Sequence, residues 1–448
     1  MKKSCLLLLL VSLAFGVFAQ SGWTSLFDGK TLKGWKQLNG KAKYEVVNGT
    51  IVGTTVTGEP NSFLVTEKDY GDFILELELK VGEMNSGIQI RSQSTPAYNN
   101  GRVHGYQVEI DPSDRAWSGG IYDEARRGWM YQTEMNPAAK KAFIKNGWNK
   151  YRIEAIGPVI RTWVNGIPVA YLVDDMDAKG FIALQVHSVK DRKGGAQVSW
   201  RNIRIQTGTA MQPSPLDNTP VANYMLNTLS PQEKAQGVKL LFNGKDLTGW
   251  RSAFKTTQPQ KGWEIKEGIL HVLGADGSEA GNGGDIVTTK KYKAFELSFD
   301  FKLTEGANSG VKYFVDESYK SGGSAIGLEY QILDDERHPD AKLGTEGNRT
   351  LASLYDLIPS DKIGPRFASK IGEWNHGKVV VHPDNRVEHW LNGFKVVEYV
   401  RGSGIFKVLV AHSKYVKWKN FGMAEEGNIL LQDHGNSVYF KNVKIREL

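Results

Sequence analysis

The chain has 448 residues, a hydrophobic fraction of 40% and a charged fraction of 23%, a globular balance that excludes a disordered or collagen-like polymer and leaves room for two or three domains. The formal charge is +7, two units of it from Lys2 and Lys3, and no Lys/Arg block is dense enough to follow a phosphate backbone, so nucleic acid is not an expected partner. The 49 glycines against 15 prolines, with 12 tryptophans and 17 tyrosines, favour many short strands joined by tight turns.

Lys2 and Lys3 precede an apolar run from Leu6 to Phe18 that closes on Val17-Phe18-Ala19, so residues 1–19 read as a cleaved secretory signal peptide. This run is short for a membrane span and no other segment is apolar enough to cross a bilayer, so no membrane span is expected. The one cysteine, Cys5, falls inside the leader, which leaves an exported chain without thiol or disulfide. A bacterial periplasm is the expected compartment, with secretion or the cell surface as alternatives.

From there the chain states one unit twice, in the same order. Leu26-Phe27-Asp28-Gly29-Lys30 with Gly34-Trp35 returns as Leu241-Phe242-Asn243-Gly244-Lys245 with Gly249-Trp250. Asn85-Ser86-Gly87 returns as Asn308-Ser309-Gly310, Tyr122-Asp123 as Tyr355-Asp356, and Gln185-Val186-His187 as Gln432-Asp433-His434. The expected domains are therefore residues 20–206 and 238–448. Between them, residues 207–237 form a linker with Pro213, Pro215 and Pro220. Ser230-Pro231-Gln232-Glu233 predicts one short helix there, with an N-cap, a proline at the first helical position and a capping-box glutamate. Within each copy the period is two, as in Phe73-Ile74-Leu75-Glu76-Leu77 and Phe295-Glu296-Leu297-Ser298-Phe299, with turn signals at Asn48-Gly49, Asn165-Gly166 and Asn392-Gly393. The fold class that follows is all-β, two tandem two-sheet sandwiches or jelly rolls with hardly any helix.

Ionisable residues at alternating strand positions are the first candidates for chemistry. Gln107, Glu109 and Asp111 share one face in the first copy; Glu329 and Gln331 do so in the second, with Asp334 at the strand end. Such a row can supply an acid, a base or hydrogen bonds to hydroxyls. Gln432 and His434, repeated as Gln185 and His187, form a second cluster on a late strand. Asp334 and His338 lie in a loop rich in oxygen and imidazole donors, which leaves a divalent metal open, without the spacing of any fixed metal motif. Tyr355 and Asp356 are placed to orient substrate, and Arg349 and Lys414 to neutralise an oxyanion. Trp35, Trp250, Trp163 and Trp390 recur in both copies and read as packing residues, whereas Trp117, Trp129 and Trp418 lie in unrepeated loops and suit stacking on a pyranose ring. No nucleophile elbow, phosphate-cradling loop or dinucleotide fingerprint is present, so no nucleotide cofactor is expected.

Taken together, Leu241 to Trp250, Asn308-Ser309-Gly310, Glu329-Tyr330-Gln331-Ile332-Leu333-Asp334, His338-Pro339-Asp340, Leu354-Tyr355-Asp356, Arg386 to Gly393 and Leu431-Gln432-Asp433-His434-Gly435 closely resemble the 3-keto-disaccharide hydrolase domain family. The first copy resembles it less, with Gln107 and Glu109 in swapped order, Val186 in place of Asp433, and no counterpart of the His338 loop. The resemblance implies a concanavalin-like jelly roll in each domain and an exported enzyme acting on glycosides whose C3 hydroxyl is oxidised to a ketone, with the main site in the second copy. It also implies His434 or Glu329 as base, Gln331 and Gln432 as hydroxyl or enolate ligands, and Asp334 with His338 as a metal or sugar clamp. Two rival readings are a non-catalytic tandem carbohydrate-binding protein and a retaining glucanase on the same fold.

Overall fold

The structure, a computed structural model, describes residues 22–362 and 370–448; the expected signal peptide lies outside the described residues. Among these residues the chain forms two tandem jelly-roll sandwiches joined by a linker that carries a short helix. In the first, the strand Phe73–Val81 is flanked by Asn149–Ile156 and Gln197–Thr207, and its sheet faces a second one containing Ser86–Ser92, Gly105–Ile110 and Gly180–Val186. The second sandwich repeats this plan. Phe295–Leu303 lies between Trp374–Val381 and Val438–Glu447, and the smaller sheet runs Trp250–Ser252, Ile286–Tyr292, Gly427–Leu431, Asn308–Ser321, Ser324–Leu333.

Alternation explains why these segments are strands. Along Phe295–Leu303 every second side chain is buried, so Phe295, Leu297, Phe299, Phe301 and Leu303 fill the space between sheets while the intervening polar residues face outward. The repeated Gly-Trp motif has a structural cause too. The Trp35 ring N–H donates to the Leu26 carbonyl at 2.7 Å, and Trp250 donates to Leu241 at 2.6 Å, tying the opening turn of each sandwich to its edge.

The linker is bound to both sandwiches. Val221–Asn223 adds a parallel edge strand to Ile167–Val173, and Arg161 donates to the carbonyls of Ser214 and Pro215. The helix Pro231–Ala235 carries the expected capping box, Ser230 and Glu233 satisfying each other's backbone N–H. On the far side Lys444 pairs with Glu233 at 2.7 Å and Asn442 bonds Asn227.

One expectation needs correction. Trp117 is no exposed sugar platform: it is only 2% exposed, packed edge-on against Trp129 and tilted against Phe394 of the second sandwich, with the Arg115 guanidinium 4.1 Å above it. Trp129 is held in the same cluster. The expectation of hardly any helix holds; besides the linker helix the described residues carry the α-helix Gly404–Ala411, which Ser403 caps and Phe406 pins by stacking on Tyr399. A 3-10 turn, Lys414–Lys417, follows it and reaches the site. Among the described residues no helix is long and apolar enough to cross a membrane.

Candidate active site

The site grows out of register. Asn308–Ser321 pairs antiparallel with Ser324–Leu333 so that Gly310 faces Gln331 and Lys312 faces Glu329. Alternation then brings Asn308, Lys312, Glu329 and Gln331 to one face of the smaller sheet. Gly310 sits between them because a Cβ there would overlap the Glu329 carboxylate; the glycine is what lets the glutamate lie across its neighbour strand. Gln432 and His434 enter just beyond Gly427–Leu431, rather than on it, while Tyr355, Lys414, Tyr415 and Trp418 form the rim.

This pocket, about 50 Å³, is smaller than a cleft of about 180 Å³ between the sandwiches. The cleft's charges are spent on internal pairs, Lys444 with Glu233 and Arg446 with Glu296. In the pocket, by contrast, Gln331 Oε1, Gln432 Oε1 and His434 Nδ1 are buried without a hydrogen-bond partner among the described residues. Buried polar atoms are nearly always paired, so three orphans aimed at one cavity mark where a polyhydroxylated ligand would bond.

The charges are strongly coupled. Glu329 is 5% exposed, and burial raises its carboxyl pKa despite the opposing pull of Lys312 and Lys414. Burial works against the Lys312 charge, yet Glu329, Asp285 and Glu279 outweigh it and hold the ammonium above the usual lysine range. Its Nζ donates to Ser324 Oγ at 2.5 Å and to the Ala325 carbonyl at 3.3 Å, with Glu279 3.7 Å away. Ser324 in turn donates to Asp285, whose buried carboxyl is pushed up to about 6 by desolvation. At the rim Lys414 is an exposed residue whose Nζ lies 4.1 Å from the Tyr355 ring centre, and desolvation lowers its pKa.

Glu279 reaches the pocket on a loop that Asp433 holds. The Asp433 carboxylate accepts from the backbone N–H of Asn282, Gly283, Gly284 and Gly435 at 2.8–3.2 Å, and its own N–H donates to Asp285. So anchored, Glu279 accepts from Gln432 Nε2 at 3.0 Å.

Several expected residues stand behind the pocket rather than in it. Arg349 is no free oxyanion partner: its guanidinium is engaged by Asp340 at 2.9 Å and Asp356 at 2.7 Å, which raise its pKa against the cost of burial. Asp356 also accepts the Lys414 N–H at 2.9 Å, and Tyr355 Oη donates to Asp340 at 2.7 Å. This Asp340–Arg349–Asp356 brace therefore positions Tyr355 and Lys414. Asp334 does not form the expected metal or sugar clamp, since both its oxygens are taken by the backbone N–H groups of Gly306, Glu336 and Arg337. His338 accepts the Asp340 N–H on Nδ1, and its ring meets that of His434 edge-on at 5.8 Å. No set of three metal-ligating side chains converges among the described residues.

Sequence reasoning missed Lys312, Glu279 and Asp285. Lys312 had a readable signal, a cation two positions after Gly310 inside the otherwise uncharged run Gly310 to Val315. Glu279 and Asp285 had none, because only the Asp433 anchor folds their loop inward.

Comparison with known proteins gives the family. The 3-keto-alpha-glucoside-1,2-lyase-like domain family matches twice, over residues 22–206 and 237–446. The chain belongs to that family. It is 36% identical over 244 residues to a 3-keto-disaccharide hydrolase of Bacteroides thetaiotaomicron, covering 50% of this chain and 82% of that protein. Two solved structures from Parabacteroides distasonis, described as candidate glycosyl hydrolases, are also similar. One is 35% identical and covers 50% of this chain and 100% of its own, with a TM-score of 0.43. The other is 27% identical over 47% and 99% of the respective chains, with a TM-score of 0.35. This 3-keto-alpha-glucoside-1,2-lyase-like chain is thus a carbohydrate-active enzyme with a sugar substrate.

Of its two family domains, the first has a neutralised version of the site. Gln89 faces Gln107 where Lys312 faces Glu329, and the two amides bond each other at 2.6 Å. Gln185 Nε2 donates to the same Gln107 oxygen at 2.9 Å, and Glu109 accepts from Asn85 and Gln107. Asp111 is consumed by Ser113 and Arg115, and His187 Nδ1 by the Ser188 carbonyl. The charged pair and its anchored loop are both absent there, Val186 having no carboxylate to offer.

Proposed function

We propose that the second sandwich cleaves 3-keto-glycosides, either 3-keto-disaccharides or 3-keto-glucosides, by removing the C2 proton and eliminating the C1 substituent. A ketone at C3 acidifies the C2 hydrogen, so one base and a stabilised electron pair at C3 suffice, without the two-carboxylate geometry of an ordinary glycosidase. Glu329 is the base: a desolvated carboxylate is more basic than one in water, and it stands over Gly310 with its face to the cavity. His434, with an unpaired ring nitrogen, serves the departing C1 oxygen, and Gln331 and Gln432 accept hydroxyl protons through their orphaned carbonyls. Lys312 supplies the cationic surroundings the electron pair at C3 requires, with Lys414 beside it at the mouth of the pocket. Loss of the aglycone leaves a C1=C2 double bond conjugated to the ketone, and addition of water at C1 completes net hydrolysis.

The observation that carries this reading is the coincidence, in one pocket, of a buried carboxylate, two lysines and three unpartnered polar atoms. The test is release of aglycone from a 3-keto-glucoside and from its unoxidised parent, with and without chelator, for wild type, Glu329→Ala and His434→Ala. Cleavage confined to the keto substrate and abolished by both changes supports it. Cleavage of the parent, or binding of sugars without any turnover, overturns it. The leader at 1–19 supports export to the periplasm, for which a mature N-terminus near Gln20 in the periplasmic fraction is the check.

A further inference from the structure

The two lysines of the pocket differ in what holds them. Lys312 is fully engaged by Ser324, the Ala325 carbonyl and the carboxylates behind them. Lys414 has no carboxylate within ion-pair distance of its Nζ among the described residues; the ammonium lies instead between the Tyr355 ring, at 4.1 Å, and the Tyr415 ring, at 5.3 Å. The backbone that carries it is nevertheless fixed. Its own N–H is bonded to Asp356, Asp356 to Arg349, and the turn that presents it is capped by the Ser413 hydroxyl. A rigidly presented amine without a counter-ion, at the mouth of a site for a ketone, is the arrangement of a carbonyl nucleophile rather than of a structural ion pair.

We infer that Lys414 is a catalytic residue that forms a transient imine with the C3 ketone of the substrate, an inference that rests on the 3-keto-glycoside reading above. The neutral amine adds to the C3 carbonyl, and the carbinolamine oxygen takes a proton from solvent at the mouth and leaves as water, giving an iminium. Glu329 takes the C2 proton, and the C2–H electron pair moves into the enamine. That pair then returns to expel the C1 oxygen, which leaves with a proton from His434 that Glu329 replaces, and the iminium is restored. Water attacks C3, regenerating the ketone and the Lys414 amine and returning the borrowed proton to solvent, so the water expelled at the start balances the one consumed here and no oxidant or reductant is needed. The surroundings of Lys414 favour this chemistry: desolvation weighs most against its charge and Lys312 and Arg349 add to it, while Glu329 and Glu279 pull the other way without cancelling the effect. Iminium is also the better electron sink, because its charge is complete before the C2 proton moves.

The test uses the full chain and a 3-keto-glucoside in the presence of cyanoborohydride, which reduces an imine to a stable secondary amine. The expected result is one sugar adduct per chain, mapped by peptide mass spectrometry to Lys414 and absent with the unoxidised parent. Lys414→Arg keeps the charge but cannot form an imine, and it should lose the adduct and at least about 100-fold in turnover, the scale of a removed catalytic group. In Glu329→Gln the adduct should still form at Lys414, now with the aglycone retained. Aglycone release at the normal rate without an adduct, an adduct on another lysine, or an active Lys414→Arg each overturns the imine and leaves the 3-keto-glycoside reading standing. Absence of both adduct and aglycone release overturns the two together.

Discussion

Replacing Asp433 by valine, the residue at the matching place in the first copy, removes the acceptor for four backbone N–H groups. Hydrogen bonds to a charged group contribute about 1.5–3 kcal/mol each, so the low end for four is about 6 kcal/mol. Asn282, Gly283 and Gly284 are only half-buried, and water can recover roughly half of that as the loop lifts, leaving about 3 kcal/mol. The loss is local. It appears as easier opening of residues 274–285, and 3 kcal/mol corresponds to about 150-fold faster amide exchange in that segment. Hydrogen exchange read by mass spectrometry should show this acceleration in peptides covering the loop, with peptides of the first sandwich unchanged. Turnover should fall with it, because Glu279 loses its anchor beside Gln432 and Lys312. Unchanged protection of the loop in Asp433→Val would refute the reasoning that this carboxylate holds it.

Glu329→Gln should lower turnover by roughly 100- to 10,000-fold while a 3-keto sugar still binds, as isothermal titration would show. Since the base must be ionised and burial raises its pKa, the wild-type rate should rise with pH through a midpoint above the ordinary glutamate value of 4.5, and a midpoint at or below it would contradict the assignment. Gly310→Ala should abolish turnover with the circular dichroism spectrum retained, because the new methyl displaces the Glu329 carboxylate and little else. In the first sandwich, burial pushes Glu109 up to about 7 in the folded chain, so folding favours its protonated form. That contribution is present below the unfolded value and is lost as pH rises toward 7, by up to about 3 kcal/mol. Glu109→Gln should therefore flatten the pH dependence of thermal unfolding between pH 5 and 8, read by calorimetry, while leaving turnover within about 2-fold.

Much of this architecture was legible because the pattern is written twice. The Gly-Trp motifs, the Asn-Ser-Gly triplets and the Gln-x-His pairs fall at matching places in the two sandwiches, and the alternation of Phe295 to Leu303 places the core directly. Glu329 and Gln331 were legible because a period of two assigns each to a face, and Gln432 and His434 because the first copy repeats them as Gln185 and His187. Other features depend on folding partners that no local pattern contains. Trp117 looked like an exposed loop tryptophan until the second sandwich covered it, and Arg349 looked like a free cation until Asp340 and Asp356 closed on it from nine residues before and seven after. The Asp334 carboxylate was read as a ligand, whereas the turn that follows consumes it with its own N–H groups. The helix Gly404–Ala411 was missed because Ile405, Val408 and Val410 are β-branched, which on propensity favours a strand; Ser403 and the burial of Phe406 decide otherwise.

The claim on which the account turns is that the C2 hydrogen leaves before the glycosidic bond breaks. The direct measurement is aglycone release from a 3-keto-glucoside carrying deuterium at C2, compared with the protiated substrate. The account predicts a slowing of several-fold and loss of the deuterium to solvent, both absent in Glu329→Gln for want of turnover. Equal rates with deuterium retained in the product would contradict it and point to direct displacement at C1.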